Sequence, residues 1–276
     1  LGEAKVWRAL LPKLPLTALL RNLARMTASG TLTANSEATA TVTRKLGDGE
    51  TLRKARVHPI AVLAAFNTYV AGRGARGSLK WEPIPEVLDA LDQAFYLAFG
   101  NVEATGKRIV LALDVSGSMS TGMVAGVPWL TPRVAAAAMA LVTASVEPQV
   151  KTIGFSHEMV PLAIGPHQRL DDVMRLTNGL PFGGTDCAKP MLWALEKGVM
   201  ADAFVIYTDN ETWFGQIHPV QALREYRRKT GIPARLVVVA MTSNGFTIAD
   251  PNDVGMLDVV GFDAAAPHVI SDFIVR

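Results

Sequence analysis

The sequence predicts an α/β fold: a doubly wound, mostly parallel sheet covered by helices, preceded by a small all-helical segment. Three observations carry this expectation. From Lys107 onward, short continuous apolar runs alternate with helical segments, as strands buried on both faces of a parallel sheet do. Before about residue 100 the apolar residues instead recur at helical spacing. Charge changes at the same place: thirteen Lys and Arg stand against eight Asp and Glu up to residue 100, and fourteen against seventeen afterwards. We therefore divide the chain into a helical segment, 1–102, and an α/β domain, 103–276.

In the first part, PLTALLRNLARM places Leu16, Leu19, Leu20 and Leu23 on one helical face. The Thr-rich TLTANSEATATVT is ambiguous between loop and helix. HPIAVLAAFNTYVAG has Pro59 near a helix start and Gly72 near its end. PIPEVLDALDQAFYLAF repeats the pattern, with Val87, Leu88, Leu91, Ala94 and Phe95 on one face. A stack of antiparallel helices accommodates all three. In the second part, RIVLALD, VKTIGFS, EMVPLAI, AFVIYTD, ARLVVVAM and DVVGF read as strands. PRVAAAAMALVTASV, RLDDVMRLTNGL, CAKPMLWALEKG, PVQALREYRRK and APHVISDFIV read as the covering helices. Ligands of such sheets bind beyond the carboxyl ends of the strands, where the strand order reverses.

Composition narrows the function classes. With 276 residues, 49% of them hydrophobic, the chain can bury a sizeable core. One cysteine, Cys187, leaves no internal disulfide and no multi-cysteine zinc site, which fits a reducing compartment, the cytoplasm. The five histidines lack the close pairs of zinc sites and read as surface or packing residues. The longest apolar-rich run, VAAAAMALVTASV, is too short for a membrane span. The N-terminus lacks a signal-peptide layout, and Leu1 in place of methionine suggests a fragment or a processed product.

The chemistry concentrates in IVLALDVSGSMS. An apolar strand runs into Asp114, and Asp114, Ser116 and Ser118 sit at alternate positions in the first strand-to-helix loop, at the surface. Two more loops supply matching oxygens: Thr185 in PFGGTDC, where Gly183 and Gly184 permit close backbone approach, and Asp209 at the end of AFVIYTD. Two carboxylates and three hydroxyls are hard oxygen donors that suit Mg²⁺ or Mn²⁺. A tight turn with a helix cap would explain DVSGS alone, since Ser, Asp and Gly dominate turns. Thr185 and Asp209 at two further loops favour the metal site.

Other signals are weaker. Basic residues gather between Arg44 and Lys80. Among them Arg53, Lys54, Arg56, Arg73, Arg76 and Lys80 are candidate RNA contacts, with Trp81 nearby for stacking. The alternative is an ordinary solvated face. GRGARG matches a dinucleotide fingerprint in letters only, because it follows a helix rather than a strand. REYRRK reads as the solvent side of a helix. The tryptophans are mainly core candidates, with Trp129 and Trp213 on loops where they could anchor a partner.

DVSGS, the threonine of GGTD and the aspartate of TDNE resemble the metal-ion-dependent adhesion site of von Willebrand factor A domains. A broader resemblance runs through LLRNLARMT, KARVHP, LKW, LDQAF, TGKR, GGTDC, TDNET, HPVQALREYR and MTSNGFTIADP, which look like the Ro ribonucleoprotein (TROVE) family. The resemblance implies a ring of HEAT-like helical repeats carrying an A domain, with residues 1–100 at the C-terminal end of the ring. It implies binding of small noncoding RNAs, Y RNAs and misfolded RNA among them, in RNA quality control. The metal residues carry over one by one as Asp114, Ser116, Ser118, Thr185 and Asp209.

Three functions compete. The leading reading is a noncatalytic module that docks a partner's carboxylate through a divalent ion. The rival is a metal-dependent hydrolase or phosphatase using the same aspartates. An aspartyl-phosphate enzyme, however, needs a second acid where Ser116 stands, no GxxxxGK[ST] is present, and GFSHE lacks the second glycine of a nucleophile elbow. The third is direct RNA recognition by this chain.

Overall fold

A computed structural model describes residues 3–178, 180, 184–209, 215–242, 248–261 and 265–276. The chain forms two compact units, Leu1–Glu103 and Ala104–Arg276.

The first unit is helical: α1 (Glu3–Leu10), α2 (Leu16–Ala28), α3 (Glu37–Gly47), α4 (Gly49–Lys54), α5 (Pro59–Val70) and α6 (Pro85–Leu97). Helix α2 buries Leu16, Leu19, Leu20, Leu23 and Met26, the stripe its spacing predicts. The ambiguous Thr-rich stretch resolves at Ser36. Its hydroxyl accepts the Thr39 amide at 3.2 Å and starts α3, so residues before it are loop and residues after it helix. His58 caps α5 through Nδ1, and Pro59 needs no partner for its nitrogen at the first helical position. In α6 the buried stripe is Val87, Ala90, Leu91, Ala94 and Phe95, with Leu88 at its half-buried margin.

One of the sequence expectations in this unit needs correction. Trp81 is buried and cannot stack on a base. Its indole N–H donates to the Tyr69 carbonyl at 2.8 Å, and its ring stacks on Tyr69. Lys45, part of the basic run, is engaged with the chain's own backbone: its ammonium donates to the carbonyls of Leu11, Pro12 and Leu14.

The second unit is the predicted α/β domain. Its elements are β1 (Ile109–Asp114), α7 (Pro132–Val146), β2 (Val150–Phe155), β3 (Met159–Pro161), α8 (Leu170–Thr177), α9 (Lys189–Glu196), β4 (Ala203–Thr208), α10 (Pro219–Thr230), β5 (Arg235–Ala240), β6 (Met256–Val260) and α11 (Ala266–Val275). The six strands lie in the order β3-β2-β1-β4-β5-β6, all parallel except β3 on β2. All six residues of β1 and of β4 are buried, which is why both segments read as unbroken apolar runs. Helix α7 packs with its alanines, Ala135 to Ala138 and Ala140, wholly buried, so the small side chains bring the helix close. At the amino ends of β1 and β4, Arg108 clamps Asp202 with Nη2 to Oδ1 at 2.6 Å and Nε to Oδ2 at 3.0 Å. Among the described residues, no helix is long and apolar enough to cross a membrane.

Candidate metal centre

The strand order reverses between β1 and β4: the chain runs outward from β1 to β2, then crosses back to β4 and β5. Loops leaving the carboxyl ends of β1 and β4 therefore diverge and leave a crevice between them. Asp114 is the last residue of β1, and Thr208 with Asp209 closes β4. The expectation of Asp114 in an exposed loop is corrected here. The residue belongs to the strand and is 2% exposed, paired with Phe155 of β2 on one side and hydrogen-bonded by the Thr208 hydroxyl at the end of β4.

The Asp114 carboxylate organises the site. Its Oδ1 accepts the Ser116 amide at 2.8 Å, which turns the chain sharply and brings Ser116 and Ser118 together, hydroxyl to hydroxyl at 3.0 Å. Its Oδ2 accepts the Thr185 hydroxyl at 3.0 Å and the Thr208 hydroxyl at 2.8 Å. Four of the five residues singled out from sequence, Asp114, Ser116, Ser118 and Thr185, thus meet in one hydrogen-bonded cluster. Asp209 stands close enough for its charge to bear on Asp114. Its own Oδ1 is buried without a hydrogen-bond partner among the described residues. Ser118 is exposed and marks the open side. Gly183 and Trp213 lie outside the described residues.

Burial pushes the Asp114 carboxyl above the usual range. The amide and hydroxyl donors pull it back, and the Asp209 charge adds to the rise. Two carboxylates in one partly desolvated crevice, one holding an unmet acceptor, form a site that a cation would relieve. The donor set of carboxylate and hydroxyl oxygens fits a hard divalent ion. Asp114, Ser116, Ser118, Thr185 and Asp209 would hold it, and the ion would supply concentrated positive charge able to attract one further anionic oxygen. Among the described residues no group of three or more His, Cys, Asp and Glu side chains is placed to hold a metal ion, so an ion here would draw on hydroxyls as well.

Sequence reasoning missed two participants. Thr208 looked like one more strand residue in IYTD. Arg133, 5% exposed, donates through Nη2 to the Ser116 carbonyl at 3.0 Å. It was visible as the one charged residue in the alanine-rich PRVAAAAMALV. Cys187 is fully buried, and burial pushes its thiol well up, so no thiolate is available for nucleophilic attack. His58 and His218 both serve as helix caps through Nδ1.

The six candidate RNA contacts lie in two places. Arg53 and Lys54 end α4, and Arg56 follows them at φ 49°; all three are exposed. Lys54 pairs with Glu50 at 2.9 Å. Arg73, Arg76 and Lys80 are exposed on an arm pinched by an antiparallel bridge between Arg73 and Lys80. The dinucleotide letters of GRGARG fall in this arm, with no strand-to-helix turn around them.

A doubly wound sheet whose switch point gathers loop hydroxyls around a strand-end aspartate defines a von Willebrand factor A domain, here following a run of helices. The chain belongs to the Ro60 family: residues 108–274 match the Ro60 vWA domain and residues 1–70 match the TROVE domain. It is 50% identical over 271 residues to the RNA-binding protein RO60 of Deinococcus radiodurans, covering 98% of this chain and 51% of that protein. It is 44% identical over 276 residues to the RNA-binding protein RO60 of Caenorhabditis elegans, covering 99% of this chain and 42% of that protein. The crystal structure of the Deinococcus radiodurans RO (RSR) protein superposes with a TM-score of 0.94 at 49% identity, covering 99% of this chain and 55% of that one. The chain spans about half the length of these relatives.

Proposed function

We propose that the second unit is a noncatalytic docking module. It holds Mg²⁺ or Mn²⁺ among Asp114, Ser116, Ser118, Thr185 and Asp209 and offers the ion's remaining position to a protein partner's carboxylate. The observation that carries this reading is Asp209 Oδ1, buried without a hydrogen-bond partner among the described residues, with the buried Asp114 nearby. An uncompensated acceptor next to a second buried carboxylate is stable only if a cation or a donor arrives. A cavity of about 1030 Å³ is lined by Gly184 and Asp186, the chain neighbours of Thr185, and by Met159, Trp193 and Ile217 among others. The buried Cys187 thiol, and Ser116 where a phosphatase needs its second acid, support binding over catalysis.

In this reading the chain serves RNA binding, as the names of its relatives suggest. The RNA class is small noncoding RNA, Y-like or misfolded, and the setting is cytoplasmic quality control. Arg53, Lys54, Arg56, Arg73, Arg76 and Lys80 are the candidate phosphate contacts on this chain. Mn²⁺ titration followed by calorimetry tests the first part: saturable binding that Asp114→Asn abolishes is expected, and equal binding by the variant refutes it. Phosphatase turnover with Mn²⁺ would overturn the noncatalytic reading. Gel-shift titration at two salt concentrations tests the second part, since phosphate-driven binding weakens steeply as salt rises. No shift at low salt rules out RNA binding by this chain alone.

A further inference from the structure

We infer that Arg133 is a positioning residue of the metal centre, its guanidinium fork tying the loop of Ser116 and Ser118 to the end of α8, from which the chain leads to Thr185. This inference rests on the metal reading above and assigns a residue that is not itself a ligand.

The two arms of the fork address different segments. Nη2 donates to the Ser116 carbonyl at 3.0 Å and, more weakly, to the Val115 carbonyl at 3.4 Å. Nη1 donates to the Thr177 carbonyl at 2.8 Å and reaches the Asn178 amide oxygen at 3.4 Å. The first arm grips the backbone of a candidate ligand and of its neighbour after Asp114. The second grips the last turn of α8, the helix that precedes Thr185 in the chain. The Thr177 carbonyl lies at the end of α8, and the Ser116 carbonyl also accepts the Met119 amide at 3.3 Å, so the arginine adds a donor to each segment and sets their spacing.

The placement is otherwise unfavourable. Arg133 follows Pro132 in the first turn of α7, where the helix dipole disfavours a positive charge. It is 5% exposed, so burial weighs against its charge, and the Asp114 charge offsets part of this. An alanine or leucine would suit the helix better. A local rule broken at such a place points to a requirement of the site. Lysine would keep the charge but offers a single point of contact in place of a planar fork, so it can grip one segment and not both.

Arg133→Lys therefore separates position from charge. A bare loss of positive charge near the ion would by itself favour cation binding, and the lysine variant removes that complication. We expect the full chain bearing Arg133→Lys to fold, by circular dichroism, and to bind Mn²⁺ roughly tenfold to a hundredfold more weakly in calorimetry, the usual loss when a group supporting the ligands is removed. A folded lysine variant with the parent's Mn²⁺ affinity overturns the inference. A second measurement needs no variant: amide exchange in the parent, with and without Mn²⁺. Loading should slow exchange in 115–120 and also in the last turn of α8. Slowing confined to 115–120 overturns the coupling. If the parent itself fails to bind Mn²⁺, the metal reading falls instead, which is a different result from a parent that binds and a lysine variant that binds equally.

Discussion

Replacing Asp114 by asparagine tests the physical logic of the site in a single crossover. The side chain is 2% exposed and accepts the Ser116 amide, the Thr185 hydroxyl and the Thr208 hydroxyl. Asparagine has the same shape. Its oxygen can keep the Ser116 amide, and the two hydroxyls can rotate to accept from its amide group. What disappears is the buried negative charge, which burial already disfavours and which the nearby Asp209 opposes further. Without divalent ions, relief of that charge in Asp114→Asn is opposed by loss of the charge that offsets the buried Arg133, so the test lies in the response to the ion. With Mn²⁺ at one hundred times its dissociation constant, the parent should gain about 2.7 kcal/mol and the variant nothing. For a unit of this size that corresponds to a rise of roughly 5–10 °C in melting temperature. Differential scanning calorimetry in EDTA and in Mn²⁺ reads this gain. A variant that gains as much from Mn²⁺ as the parent does refutes the role of Asp114.

Other expectations follow from separate parts of the chain. The Arg108 guanidinium holds the Asp202 carboxyl below its ordinary value of 3.8. A lowered carboxyl contributes stability that is present above that value and lost as pH falls through the folded one. Acid melts of the parent should thus lose a contribution below about pH 4 that Asp202→Asn lacks, and identical acid limbs would contradict the clamp. Tyr69→Phe removes a hydroxyl that bonds Thr27 Oγ1 at 2.9 Å and accepts the Ile84 amide at 3.3 Å, so the helical unit should lose about 1–3 kcal/mol in urea unfolding. Unchanged unfolding would show that water replaces both bonds. If the chain shifts RNA, changing Arg73, Arg76 and Lys80 together to alanine should lower the salt slope by about 0.7 for each single-strand phosphate that is no longer neutralised. An unaltered slope would assign phosphate binding to other residues.

Fold class was legible because burial on both faces leaves a parallel strand almost no polar positions, and β1 and β4 show this in every residue. Helix starts with a chemical signal, Pro59 after His58 for instance, were equally plain. The start of α3 was not, because the Thr-rich stretch carries neither apolar period and only the hydrogen bond from Thr39 to Ser36 separates loop from helix. Trp81 was misjudged for a related reason. An aromatic in a basic neighbourhood looks available for stacking until its indole is seen donating to the Tyr69 carbonyl.

By itself the amino-acid order determined the alternation of strands and helices and the oxygen-bearing residues that end the strands at Asp114 and Asp209, since both are local patterns of polarity. Only the tertiary structure decided that Thr185 and Thr208 share one oxygen of Asp114, that Asp209 Oδ1 is left unmatched, and that Arg133 reaches two segments at once. These depend on which strands lie side by side and where a buried side chain can reach. A linear pattern carries no distance between residues about 70 or 90 positions apart.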